Sequence, residues 1–269
     1  MTPPASGFEI RDLTVSYGRH RAVDSVSARI PAGAITAVIG PNGCGKSTLL
    51  RSLAGLVRGP RGHLLLDGRD LADLPPRLYA REVAMLPQAP LAPDGMTVAE
   101  LVSRGRDPHR RLFRPWSAED ESVVQETLAA TGLTDLAQRP LDSLSGGQRQ
   151  RAWIAMTVAQ RTRVMLLDEP TTYLDVAHQL EVLALIEELH SRSGATVVMV
   201  LHELSLAARH ADHLIAMKDG RIVAAGPPAD VVTERVLADV FGIEAEILAD
   251  SRTGRPVVVP LGPAGEWRS

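Results

Sequence analysis

Between residues 8 and 15 apolar and polar side chains alternate loosely, with Phe8, Ile10, Leu13 and Val15 as the apolar set. Gly18, Gly33 and the Asp67-Gly68 pair break the segments that follow into short apolar pieces. That is the pattern of a small antiparallel sheet with turns at the glycines. Residues 35–39, Ile-Thr-Ala-Val-Ile, form instead an unbroken apolar run stopped by Gly40. Such a run, with β-branched members and no alternation, suits a strand covered on both faces of a parallel sheet. Beyond the next glycines, Leu49, Leu50, Leu53 and Leu56 recur at helical spacing as far as Gly59-Pro60. The order is strand, glycine loop, helix.

From about Gln88 to Gln160 the pattern turns helical. Ser117-Ala118-Glu119-Asp120 reads as a capping box, and Val123, Val124, Leu128 and Leu133 follow with helical periodicity. Buried-strand runs return at residues 164–167 and 196–201, separated by a helical stretch over residues 176–190. This βαβ alternation implies a parallel sheet. Residues 229–240 read as helical, and residues 243–261 as two short strands around 250–254. The expectation is one α/β domain over residues 1–269. Residues 1–87 and 161–242 form its catalytic core and β subdomain, residues 88–160 an inserted helical subdomain, and residues 243–269 a short β extension.

Composition narrows the partners. There are 29 basic and 32 acidic side chains, a net charge of −3, so no global positive field exists to hold nucleic acid. A single cysteine, Cys44, excludes an intrachain disulfide and any multi-cysteine metal site, and a reducing compartment fits it. The first ten residues carry neither a basic stretch nor an apolar core of a secretory signal, so a cytoplasmic location is expected. The longest aliphatic runs are a few residues, against the roughly 18 that a membrane span needs. A membrane role therefore requires a partner.

Three motifs carry chemistry. Gly40-Pro41-Asn42-Gly43-Cys44-Gly45-Lys46-Ser47-Thr48 satisfies G-x-x-x-x-G-K-S/T between the predicted strand and helix. Its glycines let backbone amides converge on phosphate oxygens at a helix N-terminus, Lys46 spans the β and γ phosphates, and Ser47 offers a hydroxyl to Mg²⁺. The ligand is a nucleoside triphosphate. Asp168 and Glu169 end the apolar run 164–167. At the carboxyl end of a parallel strand, Asp168 would hold Mg²⁺ and Glu169 would orient and deprotonate a water. Taken alone, such a pair is more often a solvated turn; beside the phosphate loop the order reverses. Leu144-Ser145-Gly146-Gly147-Gln148 places a hydroxyl and two glycine amides ahead of a helical stretch, implying a second anion site. Alone it reads equally as a loop that caps a helix.

Together the three motifs resemble the ATP-binding cassette superfamily, and the resemblance runs from about Phe8 to Leu261. It implies a P-loop NTPase α/β core with a parallel sheet, an N-terminal antiparallel β subdomain and an inserted α-helical signature subdomain. It also implies ATP and Mg²⁺ as cofactors and ATP hydrolysis coupled to transport. Carried over residue by residue, Tyr17 is the aromatic that stacks on adenine. Gln88 senses Mg²⁺ and the attacking water and touches the transmembrane partner. Asp175 belongs to the loop that meets the opposite subunit, and His202 bonds the γ-phosphate. Members of this kind are homodimers that sandwich two ATP molecules and drive two transmembrane permease subunits, fed by a periplasmic or lipoprotein substrate-binding protein. The chain would then be peripheral on the inner face of the cell membrane. Residues 104–109, Arg-Gly-Arg-Asp-Pro-His, with residues 171–175, Thr-Thr-Tyr-Leu-Asp, are similar to cassettes that import ferric siderophores, haem and cobalamin. The rival within the superfamily is a soluble cassette of the iron–sulfur assembly type.

Other patterns point to ordinary structure. His202-Glu203-Leu204-Ser205-Leu206 lacks the second histidine of a zinc H-E-x-x-H site. His210 and His213 could share a solvated helix face without forming a metal site. Arg104, Arg106, His109, Arg110, Arg111 and Arg114 read as a solvated basic cluster.

Overall fold

The computed structural model describes residues 7–109 and 116–265. In chain order the first strands are β1 Phe8–Tyr17, β2 His20–Ile30, β3 Ile35–Ile39, β4 Arg61–Leu66, β5 Arg69–Asp70 and β6 Val83–Leu86. They are followed by β7 Val164–Asp168, β8 Thr196–Val200, β9 His213–Lys218, β10 Arg221–Gly226, β11 Ile243–Ala249 and β12 Pro256–Pro263. The first helices are α1 Lys46–Leu53, α2 Pro76–Tyr79, α3 Val98–Arg104, α4 Ala118–Ala130 and α5 Gly146–Ala159. After them come α6 Val176–Ser193, α7 Leu204–His210, α8 Pro228–Val231 and α9 Glu234–Val236. The chain divides into two units, Met1–Leu74 with Thr196–Ser269, and Pro75–Ala195.

The first unit contains the antiparallel sheet in the order β2-β1-β4-β5. Phe8, Ile10, Leu13 and Val15 of β1 are all buried although their spacing is uneven. The register slips between Ile10 and Leu13, where Asp12 takes φ 50° and its amide bonds the Ser27 hydroxyl at 2.9 Å. An extra residue in a strand turns the following side chains over, so this bulge keeps all four apolar side chains on one face. The loose alternation in the sequence is that bulge.

The same unit holds strands in the order β10-β9-β3-β8, with β3 parallel to both β8 and β9. β3 and β8 are buried at every position, as their unbroken apolar runs predict. Leu49, Leu50 and Leu53 of α1 are completely buried, each contributing roughly 1.5–3 kcal/mol of transfer free energy. The β11–β12 hairpin is fastened to α7. Arg255 donates to the carbonyls of Ala208 and Ala211 at the end of that helix, and the amide of Val258 bonds the Ser205 hydroxyl at 3.2 Å. A cation suits a helix C-terminus because the last carbonyls have no helical partners. His210 closes α7 whereas His213 opens β9, so the helix face proposed for the two histidines does not exist. Burial holds the His213 ring below the usual imidazole range.

The second unit pairs β6 with β7 in parallel, Val83 opposite Val164 through Leu86 opposite Leu167. Four helices are started by side chains. Thr97, Ser117 and Ser145 close capping boxes with Glu100, Asp120 and Gln148, and Asp175 caps α6. The residues 104–109 are structural and only partly surface. A Cβ on Gly105 would stand 2.3 Å from the Met156 carbonyl oxygen, so only glycine lets the end of α3 approach α5 this closely. Arg106 is 4% exposed, bonds Asp120 at 3.0 Å and donates to the Ala159 carbonyl at 2.9 Å. The solvated basic cluster is thereby corrected. Its central arginine is a buried ion pair, and His109 Nε2 lies 2.6 Å from the Gln160 carbonyl. Arg110, Arg111 and Arg114 lie outside the described residues.

Candidate active site

The glycine loop follows β3 directly. A Cβ on Gly40 would meet the Met217 carbonyl oxygen at 2.2 Å, and one on Gly45, at φ 104°, would meet that of Ala22 at 2.1 Å. These two glycines are required because the loop lies against neighbouring backbone. The Gly220 amide also bonds the Cys44 carbonyl at 3.0 Å, holding the back of the loop. Lys46, 5% exposed, is folded over the loop and donates to the Gly40 and Pro41 carbonyls, both at 2.9 Å. An ammonium has three protons, so two position it. α1 begins at Lys46 with no side-chain cap and no acidic residue in its first turn. Its N-terminal amides and dipole therefore suit an anion. Asn42 and Gly43 are exposed at the loop tip, and Ser47 and Thr48 are half-buried in the first turn.

Parallel pairing puts a second candidate on the same edge of this unit. Val38 is opposite Val200, and the Leu201 amide bonds the Val38 carbonyl at 3.2 Å. The chain therefore leaves β8 at His202, beside the point where it leaves β3 for the glycine loop. His202 is exposed there. Tyr17, 54% exposed, ends β1 opposite His20, at a two-residue turn with Gly18 at φ 60°.

In the second unit the in-register pairing of β6 and β7 brings Gln88 and Glu169 to one sheet edge. Gln88 Nε2 donates to Glu169 Oε2 at 2.7 Å, and the Thr172 hydroxyl donates to the same oxygen at 2.9 Å. Glu169 has φ 54°, a left-handed conformation that costs a non-glycine residue on the order of 1–3 kcal/mol. Strain of that kind is kept where a side chain must be aimed. Asp168, one residue earlier, ends the buried strand and is 1% exposed. Carboxylate and amide oxygens are hard donors of the kind Mg²⁺ takes, and Asp168 and Gln88 carry such oxygens in this unit.

The segment Ser145 to Gln148 is the first turn of α5. The Ser145 hydroxyl accepts the Gln148 amide at 3.3 Å, and Gln148 Oε1 accepts the Ser145 amide at 3.1 Å. Gly146 and Gly147 lie in that turn. Asp175 accepts both the backbone amide of His178 at 2.9 Å and its ring Nδ1 at 2.8 Å. These bonds, the amide first, hold the Asp175 carboxyl below the usual range. Tyr173, at φ 65° and 95% exposed, forms the outer corner of the same turn.

Two contributors escaped the sequence reading. Thr172 stood in a quoted motif without a role, although a hydroxyl three residues beyond the candidate base is the available signal. His178 had no signal, since its partners are Asp175 and the distant Gly147. Cys44 is a small buried residue of the loop, 4% exposed, and burial pushes its thiol up against the opposing effect of Lys46.

Residues 23–172 match the ABC transporter family. The chain is 51% identical over 255 residues to the petrobactin import ATP-binding protein of Bacillus anthracis, covering 95% of this chain and 93% of that protein. It is 47% identical over 262 residues to the ferric enterobactin transport ATP-binding protein of Escherichia coli, covering 97% of each. Among solved structures it resembles a transporter described as of the metal-chelate type in an inward-facing conformation. The TM-score is 0.82 at 29% identity, covering 96% of this chain and 98% of that one.

Proposed function

This chain belongs to the ABC transporter family, and from that premise we propose that its ATP hydrolysis drives the import of ferric siderophores through permease subunits. The observation that carries the motor chemistry is the Glu169 carboxylate at the end of β7, held at one oxygen by Gln88 and Thr172.

In this reading the triphosphate lies on the α1 N-terminus, and the Lys46 ammonium, kept in place by Gly40 and Pro41, directs its remaining N–H as a hydrogen-bond donor to the β and γ phosphates. The glycine amides and the helix dipole offset charge on the phosphates. Tyr17 stacks on the base, and His202 donates to the γ-phosphate. Asn42, Gly43, Cys44, Gly45, Ser47 and Thr48 complete the cradle. Mg²⁺, when bound, neutralises phosphate charge, with Ser47, Asp168 and Gln88 as its holders, directly or through water. Glu169 orients water and takes its proton, and its two anchoring bonds limit the rotamers it must search.

The Ser145, Gly146, Gly147 and Gln148 turn, with Asp175, serves the triphosphate of a second copy, so the working form is a homodimer. A substrate-binding protein outside the membrane chooses the cargo. No helix of the described residues is long and apolar enough to cross a membrane. Membrane association, on the inner face, then comes through the permease. Identity near one half, along almost the whole chain, to a petrobactin import and a ferric enterobactin transport ATP-binding protein supports the cargo class.

The test is uptake of a labelled ferric siderophore in cells lacking the chain. Uptake should return with the native protein and not with Glu169→Gln, whose ATP turnover should be about 10²- to 10⁴-fold lower with nucleotide binding intact. Uptake that is indifferent to the deletion, with no second such cassette present, would remove the cargo assignment. Near-normal turnover in the variant would remove Glu169 as the base.

A further inference from the structure

His178 stands in none of the motifs, yet it occupies the junction of two of them. The backbone of the turn at residues 173–175 enters α6, and Asp175 receives both His178 hydrogens through one oxygen, Oδ1. A carboxylate can only accept, so ring Nδ1 carries the proton and the ring is pinned as one tautomer. The opposite edge of that ring lies on the signature turn. A Cβ built on Gly147 would stand 2.6 Å from His178 Cδ2, 3.2 Å from Cγ and 3.4 Å from Nε2. Glycine at 147 is thus the condition for the ring to be there. Beside it, a Cβ on Gly146 would be 3.7 Å from Leu174 Cδ2, so the turn at residues 173–175 and the first turn of α6 that follows it lie against the two glycines.

The contact continues along the two helices. Arg151 and Glu181, one turn further on each helix, pair at 2.5 Å and keep α5 and α6 in this register. α5 is also held at its far end, where Arg106 and His109 bond the carbonyls of Ala159 and Gln160. A helix gripped at its C-terminus and sideways one turn in from its N-terminus can still shift its first turn. On that first turn the His178 ring lies against Gly147 and Leu174 against Gly146, the ring making the closer approach.

We propose that His178 is a positioning residue that transmits the placement of Asp175 to the amides of Gly146 and Gly147. This rests on the reading that the signature turn binds a second copy's triphosphate. When Asp175 is drawn to its place by that copy, the ring follows through the 2.8 Å bond and sets the two glycine amides at the γ-phosphate. The ring touches no nucleotide itself.

The experiment measures the ATP concentration that half-assembles the dimer, by light scattering, in the full-length Glu169→Gln chain. Nucleotide affinity of the single chain and the thermal midpoint are followed in parallel. His178→Ala should raise the half-assembly concentration about tenfold, with affinity of the single chain and thermal midpoint unchanged. Asp175→Ser keeps a side-chain cap for α6 but is too short to reach the ring. In that background His178→Ala should add less than about twofold, because residues acting as one unit are not additive. Equal assembly by Glu169→Gln with and without His178→Ala would overturn the proposal. So would full additivity in the double variant, or a loss explained by a lowered thermal midpoint. If Glu169→Gln with native His178 does not assemble at all with ATP, the sandwich reading fails first, and that result is separate from the others.

Discussion

Thr172 donates its hydroxyl to the Glu169 oxygen that also receives Gln88, at 2.9 Å and 2.7 Å. The two bonds come from opposite directions along the chain. One donor leaves β6, and the other lies three residues beyond the carboxylate in the turn that follows β7. A carboxylate held this way has little rotational freedom left to lose.

Thr172→Val keeps the shape and removes one bond. A hydrogen bond to a charged group contributes about 1.5–3 kcal/mol, so kcat for ATP should fall about tenfold or more while KM stays within about twofold. Steady-state hydrolysis reads both. An unchanged kcat would show that Gln88 alone positions the base.

The Arg106–Asp120 pair gives a prediction about stability and its pH dependence. Arg106→Ala leaves Asp120 buried without its cation, a change that costs about 3–5 kcal/mol in comparable sites. The Ser117 hydroxyl, and then Arg106, hold the Asp120 carboxyl below the ordinary aspartate value. A depressed folded pKa contributes stability that is complete above the unfolded value near 3.9 and is lost as pH falls through the folded value. Urea midpoints measured from pH 6 downward should show that loss in the native chain and a flatter slope in Asp120→Asn. Parallel slopes would take Asp120 out of the acid transition.

Cys44 should label slowly with maleimide and show little dependence on ATP. It is 4% exposed, and burial outweighs Lys46 in setting its thiol. Mass spectrometry over a time course decides it. Fast labelling that ATP blocks would mean that the loop opens far enough to expose the thiol.

Cysteines at Asn42 and Ser145, in a Cys44→Ser and Glu169→Gln background, should join two chains when ATP is present. Non-reducing gels report the product. A bond formed only within one chain would end the sandwich arrangement.

The local features were legible in the sequence because each depends on neighbours in the chain. Unbroken apolar runs announced β3, β7 and β8, glycine spacing announced the loop between β3 and α1, and Ser117 with Asp120 announced its own capping box. The same reasoning placed Glu169 at the end of a strand. Tertiary structure alone decided the rest, since no local rule specifies which distant side chain fills a given space. Arg106 looks like a surface charge until α4 supplies Asp120 and α5 supplies a carbonyl. The uneven spacing of β1 has its cause in a bulge that only pairing with β2 reveals. Gly147 reads as an amide donor in the sequence, but the approach of the His178 ring from another helix makes its missing side chain equally a requirement of packing.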